Sequence, residues 1–114
     1  KRLFRGQEVK KILQAEGYIV EGPAYRPIWI GNRSIASHVD YFGIADLVAY
    51  RAGLFTLHQV TDLPNKSKHV SIIGDSGIPC RIWCRTTNDN NKIIYRVFFV
   101  CERGITEEYP RERI

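Results

Sequence analysis

Asp46 and Gln59 are oxygen-bearing side chains placed in two otherwise apolar runs, DLVAYR (46–51) and LFTLHQVT (54–61). If Ala52-Gly53 forms a two-residue hairpin loop, Arg51 pairs with Leu54, and the same register sets Asp46 opposite Gln59. Directly opposed side chains have Cβ atoms about 4.5–5.5 Å apart. Two oxygen donors at that spacing can share one hard divalent cation. Thr61, two residues beyond Gln59, shares its face. Leu47, Val48, Ala49, Leu57 and Val60 mark both runs as buried, and buried polar groups need partners. The plainer alternative is a polar strand start at Asp46 and an edge glutamine at Gln59.

Other polar residues carry two readings each. Glu8 stands three residues before Lys11 on a predicted helix, the spacing of a surface ion pair. Asp40 reads as a turn cap or a further metal contact. His38, His58 and His69 are scattered; His58 points opposite Gln59 and reads as structural, and His69 as helix surface. Arg5, Lys10, Arg26, Arg33, Lys66 and Lys68 lie on segments that flank the pair, where they would meet phosphates or simply face water. Trp29 is a stacking, core or dimer residue. Cys80, Cys84 and Cys101 make an odd count without a CxxC pair, so core thiols in a reducing compartment are expected, and not disulfides.

The elements that must position these residues follow from periodicity and turn chemistry. Residues 3–16 predict a helix, with Val9, Ile12 and Leu13 on one face and Gly17 as its stop. Residues 18–20 are a short strand. Residues 21–37 read as irregular because of Pro23, Pro27 and Gly31, with 28–30 the one possible strand. The hairpin 46–61 is followed by a turn at 62–65 and a helix over 66–73 that stops near Gly74. Residues 78–86 and 92–102 predict two long strands around the polar turn 87–91. The sum is a single α/β domain over 1–114, a mixed sheet with helices against it.

Composition narrows the classes. The 114 residues are 44% hydrophobic and 25% charged, ordinary for a water-soluble fold. No stretch approaches the ~20 apolar residues of a membrane helix, and no leader follows Lys1-Arg2-Leu3, so a cytoplasmic protein is expected. The chain has no Met, and short tails are expected beyond it. Lys and Arg number 17 against 12 Asp and Glu, a formal charge of +5, which favours a polyanionic partner.

Glu8 on a helix, then the string DYFGIADLVA (40–49), a short hairpin, QVT (59–61) and Asn65 together resemble the PD-(D/E)XK nuclease superfamily. They are most similar to small phage and prokaryotic Holliday-junction-resolvase-like members with Gln-x-Thr in place of the acid-x-Lys motif. The resemblance covers residues 3–73. It implies a restriction-endonuclease-like fold and Mg²⁺- or Mn²⁺-dependent hydrolysis of DNA, branched DNA included, by a homodimer. By position, Asp46 would be the principal metal ligand and Gln59 would replace the second acid. The Val60 carbonyl would join them, and Glu8 would act through water. Thr61 stands where the lysine belongs and carries no charge, so Lys66 or Lys68 would have to take over, unless both only bind DNA. Two other classes stay open: a catalytically inactive nucleic-acid-binding module and a protein-interaction subunit.

Overall fold

The structure is a computed structural model that describes residues 5–114; the expected helix start at Leu3 falls outside them. Helix α1 (Arg5–Ala15) leads into β1 (Ile19–Glu21), then β2 (Ala24–Ile30) and β3 (Arg33–Val39). Strands β4 (Leu47–Arg51) and β5 (Leu54–Asp62) follow, then a 3-10 turn at Leu63–Asn65 and helix α2 (Lys66–Ser76). Strands β6 (Cys80–Thr87), β7 (Ile93–Cys101) and β8 (Gly104–Glu112) complete the chain. Six strands form one sheet in the order β1-β4-β5-β6-β7-β8, and β2 pairs only with β3. β5 and β6 run parallel because α2 carries the chain back across the sheet; the other neighbours are antiparallel. The fold is therefore α/β with a mixed sheet, as expected.

The two helices cover opposite faces. Val9, Ile12 and Leu13 of α1 pack with Leu47, Ala49, Trp83, Tyr95 and Val97. Ile73 of α2 packs with Cys80, Ile82, Cys84, Phe98 and Val100, with Val70 against the same cluster. Adjacent residues such as Trp83 and Cys84 fall into different clusters because side chains alternate along a strand. Cys80 and Cys84 are buried free thiols, with pKa values pushed up by burial to about 12 and about 11, so they remain protonated core residues.

The β4–β5 register is the one the loop arithmetic requires: Arg51 pairs with Leu54 and Leu47 with His58. Ala52 and Gly53 both have positive φ, 53° and 83°, which matches the right-handed twist of the two strands.

Three expectations need correction. Residues 21–37 are largely a hairpin, not irregular. Pro27 is tolerated because β2 has a neighbour on one side only, and Gly31 at φ 62° opens the two-residue loop Gly31-Asn32. Helix α2 runs through Gly74 and stops at Gly77, which takes the left-handed conformation. Strand β8 was not expected. Its charged run is held to the sheet by cross-strand pairs, Arg96 with Glu107 at 2.9 Å and Arg81 with Glu108 at 2.8 Å.

Candidate metal centre

Asp46 sits one residue before β4, where its backbone N–H bonds the His58 carbonyl at 2.9 Å, one residue off the register in which Leu47 pairs with His58. Gly22 makes room for this segment. Its φ of 99° suits glycine, and a Cβ there would collide with the Asp46 carbonyl. Asp46 is 6% exposed. Its two oxygens face different partners. Oδ2 accepts the Val60 backbone N–H at 2.9 Å, and Oδ1 lies 3.0 Å from His38 Nε2. Asp40 stands beside them, with an oxygen 3.8 Å from His38 Nδ1. One ligand atom each from His38, Asp40 and Asp46 lies within 4.8 Å of the others.

Gln59 meets Asp46 at the same amide. Its Oε1 is 3.2 Å from the Val60 nitrogen, so the carboxylate and the amide oxygen converge on one N–H. Its Nε2 is 3.0 Å from His69 Nδ1 on α2, which fixes Gln59 on the α2 face of the sheet. Thr61, buried, follows with the same parity. Val60 turns its side chain to the α1 face, so only its backbone belongs to the site.

Burial raises the Asp46 pKa to about 6; the Val60 N–H and His38 pull it down, and Asp40 pushes it up. A carboxylate so placed gains from a cation that stabilises its charged form. The donor set supports one: two carboxylates and an imidazole. An imidazole suits Mn²⁺ or Zn²⁺ better than Mg²⁺, which prefers all-oxygen sites.

The structure does not assemble the remaining candidates here. Glu8 is turned toward the α1 face, which corrects the role implied for it. Its carboxylate takes the Tyr95 hydroxyl hydrogen bond and lies 3.4 Å from Arg113 and 3.8 Å from Arg85. Lys66 places its ammonium 4.2 Å over the Phe98 ring, on β7, three strands away from β4. It is therefore not a substitute for the strand lysine. Lys68 remains on the first turn of α2, exposed, and its charge is felt by His69. Arg5 pairs with Asp62 at 2.5 Å. Lys10 lies on α1, while Arg26 and Arg33 lie on the β2–β3 hairpin, on a face shared with Ile28 and Ile35.

His58 is structural on direct grounds. Trp83 Nε1 donates to its Nδ1 at 2.9 Å, so the proton on Nε2 bonds Thr56 Oγ1 at 2.7 Å. Burial, with Arg81 and Arg111 nearby, lowers its pKa to about 3 and keeps it neutral.

Sequence reasoning missed His38 and gave Asp40 only as an alternative. The missed signal was the hairpin: once Gly31-Asn32 is read as a turn, β3 must end beside Asp40 and bring His38 back to the start of β4. Compared with known proteins, the chain matches no family model, no curated protein and no solved structure.

Proposed function

We propose that the protein is a divalent-metal-dependent nuclease that hydrolyses DNA phosphodiester bonds, on a restriction-endonuclease-like fold of the PD-(D/E)XK type. One observation carries the reading: a buried Asp46 at the start of β4 converges with Gln59 of β5 on the Val60 N–H, while its other oxygen meets His38 beside Asp40. The reading is supported by the order of these residues at the start of β4 and along β5, an Asp followed by Gln-x-Thr, on a mixed sheet flanked by helices. Asp46, Asp40 and His38 would hold the cation, with Gln59 sharing the Val60 N–H with the other Asp46 oxygen. Such a cation supplies positive charge for the phosphate and lowers the pKa of water. His38 shifts the preference from Mg²⁺ toward Mn²⁺. The protein's own groups bind and orient the phosphodiester. Lys68 is exposed beside His69, and Arg26 and Arg33 extend the positive charge along the hairpin.

Thr61 favours a second reading, a DNA-binding module without catalysis, because a hydroxyl cannot supply the lysine's charge. Incubation with linear, nicked and four-way-junction DNA, with Mn²⁺, Mg²⁺ or EDTA in parallel, separates the two. The expected outcome is cleavage that is faster with Mn²⁺ and absent in EDTA and in Asp46→Ala. DNA binding without cleavage under every metal would establish the second reading.

A further inference from the structure

His69 is a titratable side chain on the α2 face that the metal site does not use. Gln59 decides which of its nitrogens carries the proton. The Val60 backbone nitrogen can only donate, so the Gln59 end that lies 3.2 Å from it must be the oxygen. The other end, 3.0 Å from His69 Nδ1, is then the NH₂ group, which also can only donate. Nδ1 must accept, and in the neutral ring the proton sits on Nε2. Burial first, and Lys68 second, disfavour the charged ring, while Asp40 is close enough to act in the opposite direction. The ring sits on the first turn of α2 and is tied through Gln59 to the Val60 N–H that Asp46 also accepts.

We propose that His69 is locked by Gln59 as its Nε2–H tautomer and offers that N–H to a phosphate oxygen at the Asp46 site, a neutral donor beside Thr61 on the same face of the sheet. The identity of the ligand as a DNA phosphate rests on the nuclease reading; the tautomer does not. A neutral donor on a helix start supplies direction in place of the missing lysine's charge.

The competing role is a clamp in which His69 merely ties α2 to β5. Two conservative variants split them. His69→Gln can place an N–H where Nε2 stood but offers nothing at Nδ1. His69→Asn can place an acceptor where Nδ1 stood but no N–H at Nε2. Donor function predicts that at saturating junction DNA and Mn²⁺ the rate falls roughly 100-fold in His69→Ala and His69→Asn, with KM little changed, and recovers substantially in His69→Gln. Recovery in Asn but not in Gln would overturn the proposal in favour of the clamp.

The tautomer is read independently of cleavage by two-bond ¹H–¹⁵N correlation on the metal-free protein at pH 7.5. The expected pattern is Nε2–H in wild type and Nδ1–H in Gln59→Glu, whose carboxylate can only accept. An Nδ1–H ring in wild type would overturn the proposal. Addition of a short DNA duplex should move the His69 Nε2 resonance, and a resonance that stays fixed overturns the phosphate contact. Cleavage that needs Asp46 but ignores His69→Ala would leave the metal site standing and remove His69. A shifted Nε2 resonance without cleavage under any metal would remove the nuclease reading and keep the anion contact.

Discussion

At the scale of the residue, Asp46 holds a conflict between stability and binding. Its carboxyl is buried, and its pKa is raised to about 6 from an ordinary value of 3.8. A raised acid favours the folded state while it is protonated. That contribution is complete below pH 3.8 and is lost as pH rises through about 6. In the metal-free protein at neutral pH, the ionised side chain therefore costs on the order of 3 kcal/mol. Asp46→Asn keeps an oxygen for the Val60 N–H and removes the charge. It should raise the melting temperature of the metal-free protein at pH 7.5, with little gain at pH 4. Added Mn²⁺ should stabilise wild type and leave Asp46→Asn unchanged. Calorimetry at the two pH values checks both statements, and a variant less stable than wild type at pH 7.5 would show that the His38 contact outweighs the burial. The opposite arrangement is seen at His58, where burial produces a neutral ring fully satisfied by Trp83 and Thr56. Burial alone does not make a functional group; burial beside other ligand atoms does.

At the scale of the element, the site depends on how three segments meet. β1 pairs Glu21 with Val48, so the chain after β1 runs past the start of β4, and Gly22 passes against the Asp46 backbone. Gly22→Ala adds a methyl where none fits, at a φ that alanine adopts only with a penalty of about 1–2 kcal/mol. Asp46 must then shift. The expected result is a drop in melting temperature together with weaker Mn²⁺ binding by titration calorimetry, whereas Gly53→Ala, with open space around it, should lose stability without losing the metal. The β2–β3 hairpin is the second determinant. It delivers His38 to Asp46 at its base and carries Arg26, Arg33 and the 68%-exposed Trp29 away from it, with no acidic residue between Ala24 and Val39. Its two arginines are expected to contact phosphates. Arg26→Ala with Arg33→Ala should weaken DNA binding and lower the slope of log K against log salt by about 2. An unchanged slope would assign the hairpin to another partner.

At the scale of the whole molecule, positive charge and an open hairpin next to a carboxylate centre favour nucleic acid over small substrates. DNA affinity should accordingly fall steeply between low and moderate salt, as a fluorescence titration would record. Among the described residues no helix is long and apolar enough to cross a membrane. The sequence alone determined the local features. Loop arithmetic at Ala52-Gly53 set the β4–β5 register, because a two-residue turn leaves only one pairing. Apolar spacing in α1 picked out Val9, Ile12 and Leu13 as core, because a helix buries one stripe. Turn chemistry at Gly31-Asn32 was equally local but was hidden by Pro27, and with it went His38. Tertiary structure decided the rest. Glu8 and Asp46 belong to opposite faces because Leu47 packs toward α1 and Gln59 reaches toward α2, a choice made by sheet packing and not by spacing. Lys66 went to Phe98 because α2 packs over β6 and β7, with Ile73 in the same cluster as Phe98. His38 and Asp40 at the end of β3 and His69 on α2 approach Asp46 and Gln59 from two separate segments, and proximity of that kind is set by the closing of the chain, for which a single sequence carries no periodic signal.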